Sequence, residues 1–162
     1  MERVIDTKAV SLRPEAEADR NFLFQVFAST RELEMNLFDW DDPQKEAFLR
    51  QQFQAQYSHY HAHYAGADFN IIECDGHSVG RLCVMRTEHE IRIVDISLLP
   101  KFRGQGIGTS LLEEIFEEGT VSGFAVSLHV EKHNPAQSLY RRLGFEILED
   151  QGIYWLMLRR NL

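Results

Sequence analysis

The sequence contains no apolar run that approaches the roughly 20 residues of a membrane-spanning helix, so we expect no membrane partner. Positive charge is also scarce, because 17 lysines and arginines stand against 25 aspartates and glutamates, a net charge of −8. This excess of acid argues against nucleic acid as a partner. The start, Met1–Asp6, is too polar for a signal peptide. These absences lead us to expect a cytoplasmic protein.

Cysteine is nearly absent too, with Cys74 and Cys83 the two present. An Asp-Gly pair follows Cys74 and predicts a two-residue hairpin turn. In that hairpin Cys74 lies opposite His77 and Cys83 opposite Asp68, which separates the two cysteines by roughly 20 Å along the strands. A disulfide cannot bridge this distance. We therefore predict two reduced thiols that are inert inside apolar strands.

The length and the ordinary hydrophobic content of 44% predict one domain, residues 1–162. The apolar pattern predicts the element order β–α–α–β–β–β–α–β–α–β–β. Strands are expected at 9–13, 69–74, 77–86, 91–98, 124–130, 145–148 and 153–158, and helices from about Asp19, over 43–65, behind a glycine loop and over 136–143. The strand, helix and strand from Ile91 to Val130 imply one parallel pair in a mostly antiparallel sheet.

Some boundaries are predicted by single residues. Residues 32–42 are expected to be irregular, and Asp42 is expected to cap the second helix. Gly119 and Gly123 are expected to bracket the turn after the third helix. The second helix carries a stripe that is typical of core packing and ends in tyrosines, which suggests that its last turns lie near a cleft. The stripe consists of Leu49, Phe53, Tyr57, Tyr60 and Tyr64.

The residues from Ile91 to Leu112 read as a β-branched strand, a loop with three alternating glycines, and a helix. A helix start offers backbone N–H groups without partners and a partial positive charge. Glycines let a ligand approach that backbone closely. A pyrophosphate is the natural occupant of such a loop, although a plain turn with a helix cap would read the same way.

The spacing of the glycines selects among phosphate-binding loops. The loop lacks the lysine of a Walker A motif, and Thr109 stands where a dinucleotide fingerprint needs glycine. Arg103-x-x-Gly106-x-Gly108 instead resembles the acetyl-CoA motif of the GNAT superfamily of N-acetyltransferases. Residues 134–145, Asn-Pro-Ala-Gln-Ser-Leu-Tyr-Arg-Arg-Leu-Gly-Phe, resemble the second GNAT signature, N-x-A-x-x-L-Y-x-x-x-G-F. The element order is also similar to the GNAT fold, although residues 14–65 match only in outline.

The resemblance implies an α/β (α+β) fold with helices flanking a mixed, mostly antiparallel sheet whose parallel pair splays apart. Acetyl-CoA, as co-substrate, would lie in the splay, and no metal is expected. The backbone of Ile96, Ser97, Leu98 and Leu99 would pair with the pantetheine arm. The pyrophosphate would be held by the amides of Gly104, Gln105, Gly106, Ile107, Gly108 and Thr109. Asn134 would contact the arm, Tyr140 would face the sulfur, and Arg103 or Arg142 would meet the adenosine phosphates.

The chemistry of acetyl transfer suggests roles for four residues. An amine attacks the thioester directly, and Tyr140, with an ordinary pKa near 10, can protonate the departing thiolate. A simple core role for this tyrosine stays open. The N–H of Leu98 would stabilise the oxyanion. His129, five residues before Asn134, is the first candidate base, and Asp95 the second. Structural roles for both, and a water chain as base, also stay open.

The acceptor is the least defined part of the prediction. Trp40 is expected to line a site for a cationic amine together with Asp39, Asp41 and Asp42. Helix capping and solvation are the competing explanation, and they are favoured for Asp42. A small-molecule amine and a protein amine are both open. His59 and His63, four residues apart, could bind a stray metal ion.

Two other function classes compete with an N-acetyltransferase. A non-catalytic acyl-CoA-binding or sensor module would bind CoA without releasing thiol. A nucleotide-binding domain of another fold would bind NAD or ATP, although the glycine spacing argues against it. Dimers are common in the superfamily, so a homodimer is one expected assembly.

Overall fold

The computed structural model describes residues 9–161, so the polar start Met1–Asp6 lies outside the described residues. Seven strands form one mixed sheet in the order β1-β2-β3-β4-β5-β7-β6. The strands are β1 Val10–Pro14, β2 Asp68–Cys74, β3 His77–Arg86, β4 Glu90–Leu98, β5 Ala125–Glu131, β6 Glu146–Gln151 and β7 Tyr154–Arg159. The parallel pair is β4 with β5, and every other neighbouring pair is antiparallel. The predicted fold class is confirmed.

Helices cover both faces of the sheet. They are α1 Arg20–Thr30, α2 Glu32–Met35, α3 Asp42–His63, α4 Ile107–Ser122 and α5 Ala136–Arg142, with 3-10 turns at Glu17–Asp19 and Pro100–Phe102. The larger core cluster packs α4 against the sheet, and α1 and α3 enclose a second cluster around Phe53 and Ile71 on the other face. Within residues 9–161 no helix is long and apolar enough to cross a membrane.

The parallel ladder is shorter than its strands. It pairs residues 90–93 of β4 with residues 125–128 of β5, yet β4 continues to Leu98 and β5 to Glu131. Beyond Ile93 and Leu128 the two strands part. We call the space between residues 94–98 of β4 and residues 129–131 of β5 the β4–β5 gap. It opens at the carboxyl ends of the parallel pair, where open sheets place ligands.

The β2–β3 hairpin corrects one predicted register. Cys74 pairs with His77 as expected, but Cys83 pairs with Phe69 and not with Asp68. A β-bulge between Ile72 and Glu73 shifts the register by one residue. Both cysteines are buried, and burial raises the pKa of the Cys83 thiol to about 12, as expected of an unreactive core thiol.

Three boundaries differ from the sequence-based prediction. Within residues 32–42 a short helix, α2, forms because Met35 is buried. Asp41, not Asp42, is the N-cap of α3: its carboxylate accepts from the N–H of Gln44. Gly119 lies inside α4, which ends at Gly123. A Cβ at Gly119 would come within 2.7 Å of the Phe124 carbonyl, so glycine here permits close packing and does not mark a turn.

Candidate active site

The first turn of α4 lies beside the end of β4, since a Cβ at Gly108 would come within 4.0 Å of Leu98 Cδ1. Its N-cap, Gly106, is left-handed with φ +86°, and Gly104 two residues before it has φ +73°. No side chain caps the helix within the described residues. The side chain of Ile107 is buried in the core, so only its main chain can meet a ligand. A Cβ at Gly106 would have no neighbour within 4 Å, which leaves the approach to the backbone N–H groups of this turn open.

The edge of β4 that faces the gap carries backbone groups that pair with no neighbouring strand in the described part of the chain. The N–H of Leu99 donates to Val79 of β3 at 2.9 Å, so by strand alternation Ile96 and Leu98 direct their N–H and C=O groups away from β3. Ser97 and Leu99 face β3 instead. Of the four residues predicted to pair with a ligand, only Ile96 and Leu98 therefore direct backbone groups toward the gap, and the Leu98 carbonyl already accepts a hydrogen bond from Arg103.

Tyr140 lies on α5 and packs against the core cluster under α4, with its ring 5.7 Å from that of Phe145. The structure records no hydrogen bond from its hydroxyl to any described residue, so it does not cap a backbone group. Burial and then the charge of Asp95 raise the pKa of Tyr140 to about 12. Tyr140 is therefore a protonated phenol within the electrostatic reach of Asp95.

Asp95 lies on the opposite face of the sheet, beneath α1 and α3. Its Oδ1 accepts from the Ser97 hydroxyl at 2.8 Å, and its Oδ2 is 3.7 Å from Nη1 of Arg81. The side chain is 18% exposed. Burial raises the pKa of this carboxyl, while Arg81 and the Ser97 hydrogen bond lower it. The carboxylate is held by specific contacts, as a charge inside an apolar strand requires.

His129 shares the face of β5 opposite to the buried Leu128 and Val130, as predicted. Its ring is exposed, and its Nδ1 lies 3.4 Å from Nη1 of Arg92. Partial burial and the Arg92 charge lower the pKa of His129, which leaves the ring neutral at pH 7. Arg92 also donates to Ser127 and pairs with Glu90. His129 therefore belongs to a polar network that runs along the paired part of β4 and β5.

Several predicted ligand-binding side chains already have partners. Arg103 Nε donates to the Leu98 carbonyl at 2.9 Å, and its Nη2 reaches the Ser29 hydroxyl. Asn134 Oδ1 accepts from the N–H of Ala136 and starts α5. These contacts tie the glycine loop to α1 and fix Asn134 at the end of β5. The side chains of Gln105 and Arg142 donate hydrogen bonds to the carbonyls of Lys101 and Ser138, respectively. Gly108 and Thr109 lie in the first turn of α4.

The residues predicted to bind the acceptor lie between α2 and α3. The Trp40 ring stacks on Phe38 at 4.8 Å and meets Phe48 edge-on at 5.3 Å; it remains 38% exposed. Asp39 is also exposed. Capping was expected of Asp42, but it is the Asp41 carboxylate that caps α3.

Asp41→Ala is expected to lower the free energy of unfolding by about 1 kcal/mol, because the Gln44 N–H loses its acceptor. Asp39→Ala is the matched control and should unfold like the native chain. Urea unfolding curves for the two variants provide the measurement. Equal loss of stability in both would show that the cap contributes nothing specific.

One group near the gap was not predicted from the sequence. Arg81 of β3 is buried and pairs with Glu15 and Asp95 under the ring of Tyr60. The available signal was an arginine inside the apolar run Val79–Val84, since a charge there requires a partner. Its partners, Glu15 and Asp95, are far from Arg81 in the sequence, so no local pattern could identify them.

The histidines near the end of α3 show a separate arrangement. The rings of His59 and His63 lie 4.0 Å apart. Within residues 9–161 no three histidine, cysteine, aspartate or glutamate side chains lie together as a metal site. The pair can therefore offer at most two ligands from this part of the chain.

Comparisons with known proteins agree with this geometry. The family model described as "Acetyltransferase (GNAT) domain" matches residues 65–147. N-alpha-acetyltransferase RimI of Mycobacterium tuberculosis (strain ATCC 25618 / H37Rv) is 33% identical over 122 residues, 71% of this chain and 69% of that protein. A Bacillus subtilis (strain 168) protein, named as a candidate alanine N-acetyltransferase of ribosomal protein bS18, is 27% identical over 134 residues, 80% of each chain.

A solved structure shows the same fold. The PaiA N-acetyltransferase of Thermoplasma acidophilum, crystallised with coenzyme A, superposes with a TM-score of 0.69 at 16% identity, over 93% of this chain and 98% of that one. The family match spans both the glycine loop and the Asn134–Phe145 signature. The chain therefore belongs to the GNAT acetyltransferase family and is an N-acetyltransferase.

Proposed function

We propose that the enzyme transfers the acetyl group of acetyl-CoA to a primary amine by direct attack, with Tyr140 as general acid. The observation that carries this proposal is the β4–β5 gap, which runs from an unpaired strand edge to the uncapped start of α4. The protonated phenol of Tyr140 and the carboxylate of Asp95, whose charge acts on that phenol, supply the acid and the base that the reaction needs.

The cofactor would span the gap. The amides of residues 104–109 would bind its diphosphate at the positive end of α4. Ile96 and Leu98 would pair with the pantetheine arm as an added strand, and Asn134 would contact it from the other side. Arg103 or Arg142 would meet the adenosine phosphates. The structural relative crystallised with coenzyme A supports this donor.

The chemistry follows from these positions. The amine nitrogen attacks the carbonyl carbon, and the Leu98 N–H stabilises the oxyanion that forms. When the C–S bond breaks, the thiolate takes the proton of Tyr140. The nitrogen gives up its own proton to a base, and the new amide leaves neutral. The base then releases its proton to solvent, and Tyr140 recovers a proton from solvent.

We assign the base to Asp95. In addition to burial, the Asp95 charge raises the pKa of Tyr140 on α5 and of Tyr60 on α3, two helices that flank the sheet from opposite faces. Burial raises its pKa, which makes the carboxylate a stronger proton acceptor than an exposed aspartate. His129 is the second candidate, because its lowered pKa keeps it neutral. The groups that influence His129 belong to the Arg92 network and to β6, not to the gap.

The acceptor that the relatives support is the α-amine of a protein N-terminus. Both curated relatives carry names that specify α-amine or alanine acetylation. The segment of Trp40, Asp39 and Asp41 would provide an aromatic and acidic wall for a cationic end of a chain. A small-molecule amine is the alternative acceptor.

A thiol-release assay tests the proposal. A peptide with a free N-terminal alanine should release CoA thiol from acetyl-CoA and gain one acetyl group by mass spectrometry. The matched control is the same peptide with a blocked N-terminus and an internal lysine, which should give background release. Release with small amines alone would overturn the peptide acceptor. Binding of CoA without release from any amine would overturn the enzyme proposal and indicate a non-catalytic module.

A further inference from the structure

Two carboxylates share one buried arginine beneath α3. The Arg81 side chain is 3% exposed, and its Nε lies 3.0 Å from Oε1 of Glu15, which is itself 9% exposed. On the other side Nη1 lies 3.7 Å from Asp95. We call Glu15, Arg81 and Asp95 the Arg81 cluster. One cation between two anions leaves the cluster with a net negative charge when all three are ionised.

Arg81 lies closer to Glu15 than to Asp95. Among the described residues, Arg81 Nε, Arg81 Nη2 and Glu15 Oε1 have no hydrogen-bond partner, so the Glu15–Arg81 contact is an ion pair without a hydrogen bond. Asp95 instead takes its short hydrogen bond from Ser97. Glu15 therefore draws the guanidinium away from Asp95. The charge that Arg81 leaves uncompensated is carried by Asp95, the most exposed member of the cluster.

The other groups around Asp95 do not replace Arg81. They are Cys83 of β3, Ser97 of β4, Tyr60 of α3, Tyr140 of α5, and Arg31 of α1. Arg31 is the other cation among them, and it is paired with Glu131 at 3.1 Å and Glu34 at 3.5 Å. Arg81 is consequently the cation whose position has the largest effect on Asp95.

We propose that Arg81 and Glu15 are positioning residues that set how strongly Asp95 holds a proton during acetyl transfer. This inference rests on the function proposed above. A closer contact with Arg81 would make Asp95 a weak base, whereas loss of Arg81 would leave it protonated. Glu15 holds the guanidinium at the intermediate distance, so that Arg81 favours the charged form of the Asp95 carboxylate without preventing it from accepting a proton.

The two positioning residues make opposite predictions for the acidic limb of the pH profile of kcat/KM. Glu15→Gln removes the competing charge, so the limb should move to lower pH by about 1 unit. Arg81→Gln removes the cation, so the limb should move to higher pH by a similar amount. Ionisation of the amine substrate contributes equally to every variant, so the differences report the enzyme. General loosening of the fold would not move the limb in opposite directions.

Glu73→Gln is the matched control. It breaks another carboxylate–arginine pair, with Arg13 at 3.4 Å on β1 and β2, and should leave the limb in place. A ¹³C NMR titration of the Asp95 carboxyl, assigned by its loss in Asp95→Asn, provides a readout that does not require turnover. If Arg81→Gln does not fold, Glu15→Gln and this titration still test the inference.

The outcomes separate the inference from the proposed function. If Asp95→Asn keeps the native limb, and His129→Asn removes it, the assignment of Asp95 as the base is wrong. If Asp95→Asn removes the limb but Glu15→Gln leaves it unmoved, or moves it upward as Arg81→Gln does, Asp95 keeps its role and the positioning inference is overturned. A carboxyl titration that Glu15→Gln does not lower overturns the inference in the same way.

Discussion

Tyr140→Phe is expected to lower kcat by roughly 10²-fold while the dissociation constant for acetyl-CoA changes little. The variant keeps the ring that packs near Phe145 and removes only the hydroxyl. That hydroxyl bonds no described residue, so its loss breaks no structural contact. Single-turnover thiol release should report the rate, and calorimetric titration with CoA the binding. A fall in kcat without a fall in affinity is the signature of a group that acts in the transition state.

Tyr64→Phe is the control for this variant. Tyr64 follows α3 and its ring contacts the ring of Tyr60, outside the α5 signature. Tyr64 is half-buried, and no step of the proposed reaction uses its hydroxyl, so its removal should leave kcat within about twofold of the native value. If Tyr140→Phe is also within that range, Tyr140 is a core aromatic and the acid lies elsewhere.

The pH dependence of Tyr140 gives the prediction a second readout. Burial and the Asp95 charge raise its pKa to about 12, so the phenol stays protonated well above its ordinary value near 10. Its ionisation should therefore not reduce kcat below about pH 10. The raised pKa of Tyr140 also makes the free energy of unfolding depend on pH. The stabilisation that comes from the raised pKa is fully present below about pH 10, the ordinary pKa of tyrosine, and is lost as the pH rises through about 12.

The order of the elements could be predicted because local signals determine it. The Asp75-Gly76 turn places both residues at positive φ, as a two-residue hairpin requires, and the β4–α4–β5 crossover follows from alternating apolar periods. Long-range contacts explain the errors. The bulge after Ile72 shifts Cys83 by one residue, and packing on Phe124 places Gly119 inside a helix.

Some residues of the candidate site could likewise be predicted from local sequence motifs, whereas others depend on long-range contacts. The glycine loop and Tyr140 lie in contiguous motifs, so both could be read from the chain. The Arg81 cluster joins Glu15, in the loop after β1, with Arg81 of β3 and Asp95 of β4, and no local sequence pattern predicts that contact. Asp95 could be singled out as a charge in an apolar strand, but its dependence on Arg81 required the register of β3 with β4.

Gly106→Val is expected to weaken CoA binding at least tenfold, about 1.4 kcal/mol. A side chain at this position would project into the open space before α4, where no described atom lies within 4 Å of a Cβ. It would separate a diphosphate from the N–H groups that are proposed to bind it. Calorimetric titration with CoA gives the affinity. The KM for acetylated pantetheine, a donor without the diphosphate, should change far less.

Valine at position 106 also strains the backbone, because Gly106 has φ +86°. This strain lowers the free energy of unfolding by about 1–2 kcal/mol at any such position. Gly123→Val separates strain from ligand exclusion. Gly123 ends the same helix with φ +77° and has equally open space around a Cβ, so both variants should lose similar stability in urea. Only Gly106→Val should lose CoA affinity, because only the start of α4 carries unpaired N–H groups. Equal affinity in the two variants would mean that the diphosphate does not bind at this helix start.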